Sequence, residues 1–309
     1  MTFLYNIFGY VLRELYELVD SYGLALILLT FLARLIMLPS SIKQQQGTAK
    51  MQRLQSKVRK IQQQYEGDQR KIQEETQALY SREGYNPMGS GCLPLLLQLP
   101  IIYGLIGVIY KPLTYVLNIP EDVVAKLTKV AETVLDISAK NNRTIELSII
   151  GNIDKFKDYL SPEIFKTISD FDFEFLSMPL GETPSVKQFN ILWIVPVLSF
   201  VSNLASSLFM YLRQRETNPA MAKNPSMGCM TFGMPLFSLF FTFQFPVGVG
   251  VYWIASSLIA FVQTVILNLI YSPKKTITRL MVDETVQRRS KEENIKRMVS
   301  ATNKQKDRK

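Results

Sequence analysis

A single arginine, Arg34, lies in an otherwise apolar run from Tyr22 to Leu38. Thr30 precedes it by four residues, so the two side chains share one face if the run is helical. A cation at mid-membrane depth costs roughly 2.5–3.5 kcal/mol on insertion scales, and the run has no Asp or Glu that could neutralise it. The chemistry that this residue offers is therefore noncovalent: it attracts an acidic ligand and requires water or polar groups around it.

Polar side chains recur at helical spacing in the other apolar runs. They are Gln98 in the second run; Ser199, Ser202, Asn203 and Ser206 in the third; Ser238 and Thr242 in the fourth; and Trp253, Ser256, Ser257 and Thr264 in the fifth, where Ala260 continues the same face. One interpretation is helix–helix packing through small polar groups, which the serines alone favour. The other is a hydrated groove open to the cytosol, which Arg34 favours.

A third interpretation concerns Arg34 alone. About 7–8 Å of helix separates Arg34 from Pro39 at the cytosolic end of the run. A long arginine side chain at that depth can extend to the lipid headgroups without any groove. The sequence leaves this alternative open.

The residue inventory disfavours an enzyme. The chain has no histidine, which removes the commonest general base and metal ligand. It has two cysteines, Cys92 and Cys229, too few for a structural zinc site. No GxSxG, HExxH or GxxxxGK[ST] motif occurs. We expect no catalytic residue, no metal and no cofactor.

The elements that must position these residues are membrane helices. The chain has 309 residues, 47% of them hydrophobic. Its apolar residues gather in five runs of the length needed to cross a bilayer, about 17–25 residues. The runs are Tyr22–Leu38, Cys92–Tyr110, Ile191–Leu212, Cys229–Phe245 and Val247–Tyr271. The predicted fold class is an all-α integral membrane protein with five transmembrane helices around a hydrophilic groove.

The distribution of charge predicts the orientation in the membrane. The net charge is +9 overall, +4 over 39–90, +2 over 213–228, +7 over 272–309 and −3 over 111–190. Basic loops stay in the cytosol. The N-terminus and 111–190 are therefore predicted outside, and the C-terminus inside.

The polar segments have helical patterns of their own. Met51, Leu54, Val58, Ile61 and Tyr65 repeat at alternating spacings of three and four, which predicts a cytosolic helical hairpin that turns near Gly67. Val123, Val124, Leu127, Val130 and Val134 predict an amphipathic helix, and the alternating residues 170–175 are compatible with a strand. The apolar spacing in residues 2–20 is typical of an interfacial helix.

These patterns divide the chain into ten segments. They are an amphipathic interfacial helix (1–21), a first span (22–42), a cytosolic helical hairpin (43–90), a second span (91–112), an extracytoplasmic insertion (113–189), a third span (190–212), a cytosolic loop (213–228), a fourth span (229–246), a fifth span (247–271) and a basic cytosolic tail (272–309).

Three motifs in order resemble one family. They are LLTFLARLIMLPSSIKQQQGTAKMQRLQ, NPMGSGCLPLLLQLPIIYGLI and FPVGVGVYW, and they cover roughly residues 20–115 and 190–272. Together they are similar to the YidC family of membrane protein insertases, in its short five-span bacterial form. The insertion 119–188 is longer than in many relatives, and the extra N-terminal span and outer domain of some relatives are not expected here.

The resemblance implies an insertase of the bacterial cell membrane that also assists folding. It implies a substrate groove formed by Arg34, Thr30, Ser202, Asn203, Ser206, Tyr252, Trp253 and Ser256. It implies nascent membrane proteins as substrates, and as partners the ribosome through the basic tail and cytosolic loops, the Sec translocon, the signal recognition machinery and anionic lipids. A polar-pathway transporter or channel and a membrane assembly scaffold are the alternatives.

Overall fold

The structure is a computed structural model that describes residues 2–86, 93–137, 143–217 and 225–271, together with 278, 281–282, 285–286 and 288–298 of the tail. The described residues are mostly helical, as the all-α prediction requires. They divide into two compact units, Met1–Leu38 with Leu95–Thr264 and Pro39–Pro94 with Val265–Lys309.

The helices follow one another along the chain with few strands between them. Their bounds are α1 Thr2–Val19, α2 Tyr22–Ile36, α3 Leu38–Gln64, α4 Gln69–Arg82, α5 Leu93–Tyr110, α6 Pro112–Tyr115, α7 Glu121–Val134, α8 Ile145–Ile150, α9 Pro162–Ser169, α10 Ile194–Thr217, α11 Pro225–Thr242 and α12 Val247–Ile270. Short 3₁₀ helices occupy Ile153–Tyr159 and Ile191–Trp193, and the strands are β1 Glu174–Phe175 and β2 Met178–Pro179.

Two of the described helical segments are long and apolar enough to cross a membrane, Ile191–Arg213 and Val247–Ile270. A third is obtained if α2 and α3 are counted as one span, and Gln98–Tyr110 and Thr231–Thr242 are shorter apolar helices. The break between α2 and α3 falls at Met37. Pro39 accounts for it, because a proline ring clashes with the carbonyl four residues before it, here that of Leu35.

The core of the first unit lies where several helices meet residues of the insertion. Buried side chains come from α1, α2, α5 and α12, and from Phe171, Phe173 and Leu180. A second cluster lies within the insertion, around Leu127, Ile149 and Phe156. The predicted helix over the 123–134 valines is confirmed as α7, with Val124 and Leu127 buried.

The segment 170–175 differs from the strand that its alternation suggested. Only Glu174 and Phe175 pair, antiparallel with Met178 and Pro179. The alternation instead buries Phe171 and Phe173 in the core, while the acidic residues that alternate with them, Asp170, Asp172 and Glu174, are exposed. Extended chain packed on a core by side chains needs no full ladder of backbone hydrogen bonds.

The second unit contains the predicted hairpin. Gly67 has a φ of +93°, a left-handed conformation that glycine adopts at little cost, and it separates α3 from α4. The Lys50 ammonium donates to the Gly84 carbonyl at 3.0 Å, and Lys57 pairs with Glu83. Both pairs lie roughly symmetrically about Gly67, so α3 and α4 run antiparallel. Leu54 and Val58 of the predicted seam are buried.

The predicted basic tail is described only in part. Residues 288–298 are helical, while 272–277 and 299–309 lie outside the described residues.

Candidate functional site

Arg34 lies in the last turn of α2, and its guanidinium donates a hydrogen bond to the Ser256 hydroxyl of α12. Ser256 is buried, whereas Arg34 is partly exposed. Among the described residues the ion pairs do not include Arg34. Its positive charge therefore has a polar partner but no carboxylate partner within this part of the chain.

Tyr252 and Gln98 extend this polar cluster. The Gln98 side-chain amide donates to the Tyr252 hydroxyl at 2.8 Å, which connects α5 to α12. The Tyr252 phenol lies beside Ser256, and its ring is buried. We call Arg34, Gln98, Tyr252 and Ser256 the arginine cluster. It joins α2, α5 and α12 through side chains that would each cost free energy if buried without a partner.

Thr30 is placed differently from the sequence expectation of a groove-lining side chain. It is fully buried, and its hydroxyl donates to the Leu26 carbonyl at 2.7 Å within its own helix. This i−4 bond is the usual way for a threonine to satisfy its hydroxyl in an apolar helix. Thr30 therefore lies on the same helix as Arg34, but its side chain is buried and its hydroxyl is already hydrogen-bonded within α2.

The polar stripe of α10 forms a second cluster. The Ser199 hydroxyl shares a 2.6 Å hydrogen bond with the Ser238 hydroxyl of α11, and the Asn203 amide donates to the Ser238 hydroxyl at 3.0 Å. Ser202 and Ser206 donate to carbonyls of their own helix, each at 3.0 Å. We call these five residues the serine cluster. Ser199, Asn203 and Ser238 act as interhelical packing groups, the alternative that the serines alone favoured.

Trp253 belongs to a third environment. Its ring centroid lies 4.9 Å from that of Phe241 in α11, and the Phe241 ring in turn lies 4.4 Å from that of Phe245. Trp253 is partly exposed. Its ring therefore packs among aromatic side chains, whereas the neighbouring residue in the chain, Tyr252, belongs to the arginine cluster.

The structure brings together three of the eight predicted site residues, Arg34, Tyr252 and Ser256, and adds Gln98. Ser199 and Ser238 are the corresponding additions to the serine cluster. The sequence contained a signal for these residues, because an amide or hydroxyl that is buried in an apolar environment costs free energy unless it is hydrogen-bonded. The sequence did not indicate which partner each would find.

The described residues contain no group of three or more His, Cys, Asp or Glu that could hold a metal ion. The chemistry available at the arginine cluster is hydrogen bonding and attraction of negative charge.

Comparison with known proteins gives a family match over most of the chain. Residues 14–275 match the family described as 60Kd inner membrane protein. The membrane protein insertase YidC of Treponema denticola is 27% identical over 263 residues, which cover 85% of this chain and 37% of that protein. The membrane protein insertase MisCA of Bacillus subtilis is 27% identical over 271 residues, which cover 84% of this chain and 78% of that protein.

A third relative is the membrane protein insertase YidC of Dinoroseobacter shibae. It is 29% identical over 254 residues, which cover 82% of this chain and 35% of that protein. The chain therefore spans little more than a third of the length of the Treponema and Dinoroseobacter proteins. It spans most of the length of the Bacillus protein. All three matches extend over more than four fifths of the chain.

Proposed function

Because this chain belongs to the 60Kd inner membrane protein family, we propose that it is a membrane protein insertase. Its relatives named as insertases and its apolar helices support this function and a multi-pass location in a bacterial membrane. The observation that carries the mechanism is Arg34, a partly exposed cation at the end of an apolar helix, with a hydroxyl as its partner.

The proposed membrane arrangement has five spans. Alongside the longer α10 and α12, α5 and α11 each have 18 residues. An 18-residue helix is about 27 Å long, close to the roughly 30 Å thickness of the hydrocarbon core. Tilting is not required for them to cross, and flanking polar residues complete the span. The remaining span consists of α2 and the first turn of α3.

In the proposed mechanism, the arginine cluster receives the polar tail of a nascent membrane protein from the cytosol. Arg34 attracts acidic groups, and water at the partly exposed guanidinium solvates the tail. A polar segment that enters such a recess crosses a shorter thickness of hydrocarbon. The membrane potential favours outward movement of an acidic tail by about 2.3 kcal/mol per charge per 100 mV.

The apolar part of the substrate leaves toward lipid along exposed apolar faces. Val197 and Val201 of α10, and Leu258, Val262 and Ile266 of α12, recur at i+4 and are each about half exposed. Such stripes offer a continuous apolar surface along a helix. Transfer of the new span into lipid supplies the driving force, at roughly 25 cal/mol per Å² of apolar area. No covalent step is required.

The test compares Arg34→Ala with Arg34→Lys in vesicles that contain the purified full chain. A unit charge pair about 4 Å apart is worth about 4 kcal/mol at an effective dielectric constant of 20, so we expect Arg34→Ala to lower insertion of an acidic-tailed substrate about tenfold or more. Arg34→Lys retains the charge and is expected to retain most insertion. The measurement is protease protection of the inserted tail.

Two controls make the result specific. Arg213→Ala removes an exposed arginine near the end of α10. This variant should insert the acidic-tailed substrate as efficiently as the wild type. A substrate whose tail carries no acidic residue should depend little on Arg34. Equal insertion of the acidic substrate by Arg34→Ala and by the wild type would remove the charge mechanism.

We also propose that the basic segments meet anionic partners in the cytosol. The tail 272–309 has twelve Lys or Arg and five Asp or Glu, net +7, and the segment 39–90 is net +4. Ribosomal RNA and anionic lipid attract such segments through their phosphates. The Sec translocon and the signal recognition machinery are further proposed partners. Contact with a ribosome requires these segments to lie in the cytosol. Labelling of single cysteines with an impermeant maleimide tests that location.

A further inference from the structure

A cavity of about 780 Å³ lies between α1 and the segment that connects α6 to α7. Asn6, Tyr10 and Arg13 of α1 form one wall, and they follow one another at i, i+4 and i+7. The opposite wall includes Asn118 and Glu121, the latter being the first residue of α7. The cavity is remote in sequence from the arginine cluster and shares no residue with it.

The cavity contains one cation and one anion that are not paired with each other. The ion pairs of the described residues include neither Arg13 nor Glu121. The Arg13 guanidinium lies over the Tyr10 ring, 5.5 Å from its centroid, which orients it without neutralising it. Two opposite charges that line one cavity and remain apart complement a ligand that itself carries both charges.

The position of the cavity on α1 indicates where that ligand comes from. Phe3, Ile7 and Tyr10 lie at i, i+4 and i+7 and are 72%, 43% and 55% exposed, so α1 carries a stripe of exposed apolar side chains. A helix with such a stripe lies in the membrane interface with the stripe in the acyl region. Tyr10 belongs both to the stripe and to the cavity wall. The cavity therefore opens at the depth of the lipid headgroups.

We propose that this cavity binds the phosphoethanolamine headgroup of a zwitterionic phospholipid. The phosphate lies against Arg13, since a guanidinium matches phosphate geometry, and the ammonium group donates to the Glu121 carboxylate. Asn6 and Asn118 supply further polar contacts. The proposal rests on the proposed membrane location of the chain but not on its insertase activity.

Charge selects this headgroup over two common alternatives. A headgroup with a phosphate and no cation, such as phosphoglycerol, satisfies Arg13 but leaves Glu121 facing a negative ligand. A phosphocholine headgroup has the same two charges, but its quaternary nitrogen has no N–H to donate to a carboxylate. The expected order of affinity is ethanolamine, then choline and glycerol.

The experiment is native mass spectrometry of the full chain released from detergent with phosphatidylethanolamine, phosphatidylcholine and phosphatidylglycerol at equal concentrations. The wild type is expected to retain phosphatidylethanolamine about tenfold more than either of the others. Arg13→Gln should lose retention of all three lipids. Glu121→Gln should lose the preference for ethanolamine while still retaining phospholipid. Glu163→Gln and Lys166→Gln on α9 are matched controls, because both side chains are exposed outside the cavity.

A gain of preference separates recognition from damage to the fold. Glu121→Lys makes both cavity charges positive and is expected to prefer phosphatidylglycerol. Arg13→Gln that retains as much phosphatidylethanolamine as the α9 controls would overturn the proposal, as would a wild type without lipid preference or a Glu121→Lys variant without the switch. Because lipid retention is measured without any substrate, none of these outcomes alters the Arg34 test of insertion.

Discussion

Glu146 is a carboxylate buried away from both polar clusters. It is 3% exposed, and its two oxygens accept hydrogen bonds from the Thr114 backbone N–H at 3.1 Å and from the Thr114 hydroxyl at 2.7 Å. Burial raises the pKa of Glu146, against the opposing effect of the Thr114 hydrogen bonds and of the positive charge of Lys111. These bonds connect α8 to α6, at the junction between the second apolar helix and the insertion.

The raised pKa makes the stability of this junction depend on pH in a defined direction. A folded state that holds its proton more firmly than the unfolded chain is stabilised most below the ordinary glutamate pKa of about 4.3, and loses that contribution as pH rises through the folded pKa. We expect the stability of Glu146→Gln to change less with pH than that of the wild type as pH rises above about 4. Thermal unfolding of the detergent-solubilised chain across this range measures the difference.

Two further variants define the contribution of Glu146. Glu146→Ala leaves the Thr114 donors without their acceptor and should lower the free energy of unfolding by about 1–3 kcal/mol. Glu163→Gln removes an exposed carboxylate and should unfold as the wild type does at each pH. If the unfolding temperatures of the wild type and Glu146→Gln change with pH in parallel, Glu146 is not the source of the pH dependence.

At the same scale, the sequence predicted which residues are special better than it predicted their partners. Arg34, Tyr252 and Ser256 were identified as one site and lie together. Thr30 was assigned to the same site from its position on one helix face, yet its hydroxyl bonds to its own helix. Helical periodicity gives the face of a residue, but the neighbouring helix that covers this face is set by tertiary packing.

At the scale of elements, α1 is held against α5 by aromatic rings over glycines. Phe8 lies over Gly104 and Tyr5 over Gly107, where a Cβ on either glycine would come within 2.4 Å or 2.1 Å of the ring. The two glycines are three residues apart and therefore adjacent on one face of α5. Glycine at these positions permits an approach between the helices that any side chain would prevent.

Gly107→Ala is therefore expected to displace α1. Overpacking of this kind costs about 1–3 kcal/mol, and it should lower the thermal unfolding temperature and expose α1 to protease. Gly233→Ala in α11 is the matched control, since a Cβ there meets no atom within 4 Å and alanine in a helix is more stable than glycine by about 0.5–1 kcal/mol.

A second substitution tests the stated contact directly. Tyr5→Leu removes the ring from Gly107 and should recover part of the loss when combined with Gly107→Ala. Independent, additive effects of the two substitutions would show that the Tyr5 ring and the Cβ introduced at position 107 do not compete for the same space.

Elements with strong periodicity were predictable and those set by distant contacts were not. The valines of 123–134 and the seam that includes Leu54 and Val58 gave α7 and α3, because a repeat of three and four residues has one interpretation. The alternation in 170–175 has two interpretations, strand pairing and side-chain burial. The rings of Phe171 and Phe173 pack against Tyr22 in the core, so burial is the one that the structure shows.

For the whole molecule, the sequence identified the family from three motifs in order, and the match over residues 14–275 confirms it. The number of spans and the side of the membrane on which each loop lies stay predictions. They depend on the distribution of charge, and the positive-inside rule describes how a chain is oriented during insertion rather than how its helices pack.

The orientation can be measured with single cysteines. In a variant whose Cys92 and Cys229 are replaced by serine, Lys157→Cys places a thiol in the insertion and Lys60→Cys places one in α3, at positions that are exposed. An impermeant maleimide should label Lys157→Cys in intact cells and Lys60→Cys only after the membrane is opened. Lys291→Cys in the tail should likewise be labelled only after the membrane is opened. Labelling of the tail position in intact cells would place it outside, and it would exclude both ribosome contact through the tail and entry of substrate beside Arg34 from the cytosol.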